Sequence, residues 1–535
     1  MSIPTRTHTS DPVAASGALE IPIATMEDKV LLATVSVFVL LLVLSKLKYL
    51  LITKPKLNLP PGPWTLPVIG SLHHLVTSPN LYRATSRLSR KHGPLISLWL
   101  GEVSAVVVSS PEAAQEVMKT KDITFADRFS NATIAAFTFN GNNIAFAPYG
   151  ERWRQLRKIC MVELLSAARV LSFRRIREEE VGRFIERLAA ASSAAGPAVN
   201  LSKMISKFIN DIIVRESVGT RCKYQDEYLD AFTSGVRQTS TMTVADLFPS
   251  SKLMQALGST PRKVLACRNR IERIFEQIIE EEKEAMDGGN GQAAAAGHEG
   301  FLSILLRLQK EGTSPIPLTN DSIIAVMFDM FGAGSDTLPN VLNWCMTELV
   351  RNPKAMAKAQ EKVREAFKGK STITEEDLKR CSYIDLAIKE TMRLHPPVPL
   401  LLPRKCREDC KVMGYNIPKG TVVFVNVWGI CRDPKYWDDA EEFKPERFES
   451  NKLDYKGTDF EYLPFGAGRR ICPAINLGVA NIDLALARLL YHFDWKLPDG
   501  MEPKDVDLRE ASGLVAGKKT NLFLHPITRI PPVNA

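Results

Sequence analysis

Ten residues late in the chain, Phe465 to Ala474, read FGAGRRICPA. Cys472 lies behind two glycines and two arginines and just ahead of an apolar stretch, Ile475 to Phe493. The start of a helix offers orphan N–H groups and a positive dipole end, and both stabilise a thiolate, as would Arg470 nearby. Gly466 and Gly468 let the backbone approach a flat partner closely. A thiolate presented in this way is a nucleophile if one of the eight histidines supplies a base. It is equally an axial ligand to a metal whose cofactor brings its own other donors, as haem does. The third reading is a buried structural thiol. The loop alone leaves all three open.

Three further segments carry chemical groups. Ala333 to Thr337, AGSDT, lies inside a long apolar helix pattern from Ser322 to Val350. Its small residues open a groove and place Asp336 and Thr337 beside it, an acid and a hydroxyl suited to moving protons. Pro339 cannot donate to the carbonyl of Ser335, so a bend is expected there. Glu390 and Arg393 of KETMR fall on one helix face, with Arg447 of PERF as a third member. Glu151/Arg154 and Glu180/Arg183 share that spacing, and most such pairs are solvated. The apolar flanks YIDLAI and LHPPVPLLLP favour burial of this one. Trp153 and Arg157 share a face of the helix in APYGERWRQLRK, where an indole N–H and a guanidinium can grip a carboxylate.

These groups need elements to hold them. The chain has 535 residues, 45% hydrophobic and 24% charged, an ordinary globular composition with length for a large core. Nine cysteines without module spacing indicate a reducing compartment and free thiols; Cys406 and Cys410 have no partner pair. A net charge of +9 without a long basic block disfavours nucleic acid and points to a membrane or an acidic partner. Leu95 to Ser110 alternates as a hairpin around Gly101 and Glu102, and short strands are expected over Val412–Ile417 and Thr421–Val425. Helical patterns cover about 149–192, 200–240, 259–286, 318–350, 352–367 and 383–394. Residues 287–298 form a low-complexity loop, and no repeat or second-domain linker stands out.

Val30 to Leu44 is uncharged and is prolonged by apolar residues to Ile52. Residues 29–52 are therefore expected to span a bilayer, which needs roughly 20 residues. Lys46, Lys48, Lys54 and Lys56 after the span, against Glu27 and Asp28 before it, place the body in the cytosol and residues 1–28 in the lumen. The sequons at Asn131 and Asn200 would then be unused. The proline-rich LPPGPWTLPVIG makes 53–70 a stiff hinge, with the body at 71–535.

Taken together, Phe465–Cys472, Glu390/Arg393/Arg447, Trp153/Arg157 and Ala333–Thr337 resemble the motifs of the cytochrome P-450 superfamily, the haem-thiolate monooxygenases. The likeness runs from Pro60 to about Pro526 and is strongest to plant enzymes of specialised metabolism anchored in the endoplasmic reticulum. It implies a mainly α fold with small β-sheets, a single haem domain behind a membrane helix, and haem b bound through Cys472. It implies Phe465, Arg470, Trp153, Arg157 and Arg404 around the haem, and Glu390, Arg393 and Arg447 as a structural triad. Asp336 and Thr337 would deliver protons. Electrons would come from NADPH through the flavins of a cytochrome P-450 reductase, with cytochrome b5 as a second donor, docking near Arg154, Lys158 and Arg469. The resemblance also implies a pocket of Phe137, Phe139, Ala333, Val398, Leu402 and Leu514 for a lipophilic metabolite such as a terpenoid or alkyl-phenol, into which one atom of O2 is inserted. Two positions depart from the family pattern. Leu338 stands where Thr or Ser is usual, which questions a second relay hydroxyl, and Ala474 replaces a glycine. The competing readings are a haem-thiolate isomerase or dehydratase that needs no O2, and a non-catalytic membrane haem protein.

Overall fold

In the computed structural model, residues 57–535 are described apart from 193–195, 241, 258–259, 289–298, 313–315 and 533–535, together with positions 36 and 40. The expected tail, the expected anchor apart from positions 36 and 40, and most of the loop 287–298 lie outside the described residues. Among the described residues no helix is long and apolar enough to cross a membrane.

The hairpin forms where the alternation places it, with β1 at Leu95–Leu100 and β2 at Val103–Val108 paired in antiparallel register around Gly101. A five-stranded sheet grows from it. β3 is Asp127–Arg128, β4 is Arg404–Lys405 and β5 is Val422–Val425, in the order β1-β2-β5-β4-β3. The parallel β2–β5 pair brings residue 105 beside residue 422, and Arg128 pairs with Arg404 across β3 and β4. Two charged positions far apart in sequence thus become neighbours.

The proline-rich segment from residue 58 is fixed to this sheet and to the strand Tyr415–Ile417 outside it. The Ser97 amide donates to Pro61 O at 2.8 Å, the Asn416 amide donates to Asn58 O at 2.7 Å, and Gly70 bridges Leu100. A Cβ at Gly62 would overlap the Ser97 carbonyl oxygen, so this approach requires glycine.

The helices that position the site are α1 Leu81–His92, α2 Glu151–Ile159, α3 Arg174–Ala190, α4 Leu201–Val218, α5 Gln225–Thr239, α6 Thr260–Asp287, α7 Asn320–Arg351, α8 Pro353–Ala366, α9 Ser382–Leu394 and α10 Ile475–His492. Two expected helices are broken. The pattern over 149–192 is interrupted by a wide turn at Cys160–Leu164 and again near Phe173. That over 200–240 stops at Gly219, whose φ of 83° ends α4 with a left-handed cap. α7 stays helical through Pro339. It packs against α4, α6, α8, α9 and α10, so one core forms around its C-terminal half and another around its N-terminal half. Asn131 and Asn200 cap helices, their side chains accepting from the amides of Ile134 and Lys203. All nine cysteines are free; Cys406 and Cys410 lie with their sulfurs 3.8 Å apart.

Candidate active site

The Cys472 loop takes its shape from its glycines. Gly466 and Gly468 have φ of 72° and 69°, a region that disfavours other residues. At Gly468 a side chain would also overlap Met118 O, with Asp122 Oδ1 just behind. The loop closes where the Cys472 amide donates to Phe465 O at 3.0 Å. The ring of Phe465 stands edge-on to Tyr455. Asp122 ties the loop to the sheet: it accepts from the Arg469 amide at 2.8 Å and from Arg404 Nη1 at 3.2 Å. Ala474 sits at a φ of −101°, where its methyl group is unstrained, so the departure from glycine distorts nothing.

Burial raises the Cys472 thiol pKa; the Ala474 amide and Arg157 oppose that rise. The cation acting on the sulfur is therefore Arg157, in place of the expected Arg470. Arg470 is turned away and spent on backbone carbonyls, donating to Ala126 O at 2.7 Å, Ile144 O at 3.2 Å and Ala147 O at 2.5 Å.

Around the loop four guanidiniums converge. Arg157 donates to Ile471 O at 2.6 Å. Arg404 donates to Ala467 O at 3.0 Å. Arg128 donates to Ala145 O at 3.1 Å and Leu402 O at 2.7 Å. The Trp153 indole was expected to grip a carboxylate. It donates instead to Ile144 O at 3.1 Å, and Arg157 and Arg470 lie over its ring at 5.5 and 4.2 Å. Of the four, only Arg404 makes an ion pair among the described residues, with Asp122. Burial, then repulsion from Arg404, Arg470 and Arg157, lowers the Arg128 pKa. Burial and the same repulsion bring Arg470 to about 9. A cluster of cations, Arg404 and Arg470 buried and Arg128 and Arg157 half-buried, with one paired carboxylate is a cradle for a ligand that brings its own negative charge. Haem, with two carboxylates and a flat face, fits this donor set: converging cations, a half-buried thiol and a glycine-lined loop. Sequence reasoning missed Arg128; its only signal is a lone arginine in a short strand.

On α7, Ala333 is exposed although it lies mid-helix between buried turns. The flanking glycines serve packing: a Cβ at Gly332 would overlap the Phe232 ring of α5, and one at Gly334 would come within 2.7 Å of Ile213 on α4. Thr337 Oγ1 donates to Ala333 O at 2.8 Å, leaving its lone pairs free to accept. Burial raises Asp336 to about 6. Asn340 Nδ2 donates to Asp336 O at 2.7 Å. Leu338 does not face this groove; it is buried, with its Cδ2 against Gly478 of α10. The departure from Thr or Ser therefore takes no hydroxyl from the acid–alcohol pair.

Val398, Leu402 and Leu514 are half-buried. Phe137 and Phe139 are buried in an aromatic cluster with Phe232 and Phe328, at centroid distances of 5.1 to 5.9 Å. Their rings are ordinary core packing.

Glu390, Arg393 and Arg447 come together as a knot. Arg393 grips Glu390 with two bonds of 2.7 and 2.9 Å, and Arg447 Nε donates to Glu390 Oε1 at 2.9 Å. Arg393 also donates to Cys431 O, Ala440 O and Glu442 O. Arg154 and Lys158 are exposed on α2, and Arg469 is half-exposed beside the loop.

The model of the family described as cytochrome P450 matches residues 60–525. The chain is 65% identical over 512 residues to the dolabradiene monooxygenase of Zea mays, covering 95% of this chain and all of that one. It is 63% identical over 512 residues to the zealexin A1 synthase of Zea mays, with the same coverage. It is 57% identical over 516 residues to the ent-isokaurene C2/C3-hydroxylase of Oryza sativa subsp. japonica, covering 95% of this chain and all of that one. Among solved structures, a zebra fish cytochrome P450 with abiraterone superposes at a TM-score of 0.70 and 24% identity, over 84% of this chain and all of that one, a likeness of fold. With the loop, the cradle and the knot in one body, this chain belongs to the cytochrome P450 family of haem-dependent monooxygenases.

Proposed function

We propose that the protein oxidises a terpenoid hydrocarbon, with Cys472 as the thiolate ligand of haem iron and Arg128, Arg157, Arg404 and Arg470 neutralising the haem carboxylates. The observation that carries this reading is the surplus of converging guanidiniums over paired carboxylates around the half-buried Cys472. The bound haem supplies O2 activation, and a thiolate ligand favours O–O cleavage. The chain's part is to position and protonate. Asp336, with a pKa near 6, holds or releases a proton at neutral pH. Thr337 accepts from a molecule in the groove while anchored to Ala333 O. Glu390, Arg393 and Arg447 keep the loop side of the fold rigid. Ala333, Val398, Leu402 and Leu514 present apolar surface that excludes water from an olefin and grips it without hydrogen bonds.

The substrate class follows from relatives at 57–65% identity whose names refer to dolabradiene, zealexin and ent-isokaurene. An electron donor with an acidic face, such as NADPH–cytochrome P450 reductase, would meet Arg154, Lys158 and Arg469. Residues 29–52 would hold the protein in the endoplasmic reticulum membrane with the body in the cytosol. Microsomes coexpressing a plant reductase and fed diterpene and sesquiterpene olefins should yield a product heavier by one oxygen, dependent on NADPH and labelled by isotopic O2. A product formed without NADPH would replace this reading with an isomerase or dehydratase.

A further inference from the structure

The cradle does not hold itself. Arg128, Trp153 and Arg470 are oriented by the carbonyls of Ile144, Ala145 and Ala147. This short segment follows a turn in which Phe139 and Asn140 both take positive φ, 53° and 56°, a conformation costly for a phenylalanine. Something must fix it. Asp329 of α7 uses both carboxylate oxygens for this: Oδ1 accepts from Asn143 Nδ2 at 2.7 Å, and Oδ2 accepts from the amides of Ile144 and Ala145 at 2.6 and 3.1 Å. The residues whose amides Asp329 holds are those whose carbonyls face the cations. We propose that Asp329 is a positioning residue that clasps residues 143–147 to α7 and so sets the geometry of the guanidinium cradle. The inference rests on the reading that this cradle holds the haem carboxylates.

Hydrogen bonds to an ionised group are the strong ones, and without the carboxylate two buried amides lose their acceptor. The test uses the haem-loaded protein and two readouts: amide hydrogen exchange of a peptide spanning 140–149, and the rate of haem transfer to apomyoglobin. Asp329→Asn keeps the side chain's size but turns one acceptor into a donor. Exchange in that peptide and haem release should each be about tenfold faster, with exchange in α10 unchanged. Asn143→Ala removes one of the three bonds and should give about threefold in both. If both variants exchange and release haem at wild-type rates, the clasp is overturned. Arg128→Met separates the two readings. Faster release in Arg128→Met but not in Asp329→Asn overturns the clasp alone, and unchanged release in both overturns the cradle.

Discussion

Two groups of arginines in this protein differ in where their counter-charge comes from. At the knot, Arg393 is fully buried, and the chain itself provides the carboxylate of Glu390 and three carbonyls. At the cradle, Arg128, Arg157, Arg404 and Arg470 share one directly paired carboxylate, that of Asp122, and repel one another. On the proposed reading, the same side chain is structural where the chain supplies enough counter-charge and binds a ligand where that supply falls short. The difference predicts opposite responses to mutation. Glu390→Ala leaves Arg393 buried without its anion and should destabilise the fold by about 3–5 kcal/mol, read by chemical denaturation. Wild-type stability in that variant would erase the distinction.

Removing a cradle cation should do the reverse. Arg128→Met should change the stability of the haem-free protein by less than about 1 kcal/mol, since relief of repulsion offsets two lost carbonyl bonds, while haem release accelerates about tenfold. Equal damage to both properties would make Arg128 another structural arginine.

Asp336 sharpens the comparison from the acidic side. Its folded pKa, near 6, lies above the ordinary 3.8, so the native state holds this proton more tightly than the unfolded chain. The group's contribution to stability is full below pH 3.8 and is lost as pH rises through 6. Asp336→Asn should therefore stabilise the protein at pH 7.5 by about 1–3 kcal/mol, with the gain vanishing near pH 4. Oxidation rate should fall in the same variant, because the proton carrier is gone. The smallest effect on activity is expected at Leu338, which packs against α10. Leu338→Thr should cost about 1–2 kcal/mol by placing a hydroxyl in the core, and it should leave turnover within about twofold.

Much of this was legible beforehand for a physical reason. The loop 465–474, Glu390/Arg393 and Ala333–Thr337 are local patterns, and spacing along one helix or turn reveals them. What escaped depends on pairs distant in the chain. Arg128 gains its meaning from Leu402 and from β4, and Asp329 from residues 143–145. Neither has a local signature. The rotation of Leu338 toward Gly478 and the turn of Arg470 away from the sulfur depend on packing. The breaks at 160–164 and at Gly219 fall inside stretches whose hydrophobic periodicity continues across them. Phe137 and Phe139 were read for a pocket because aromatic residues suit both a guest and a core, and only their neighbours decide between the two.

The account stands on sulfur ligation by Cys472. The spectrum of the reduced, carbon-monoxide-bound protein tests it directly. The wild-type protein should show the strongly red-shifted band of a thiolate-ligated haem, and Cys472→Ser should lose that band. An unchanged spectrum in Cys472→Ser, or a wild-type spectrum typical of imidazole ligation, would contradict it.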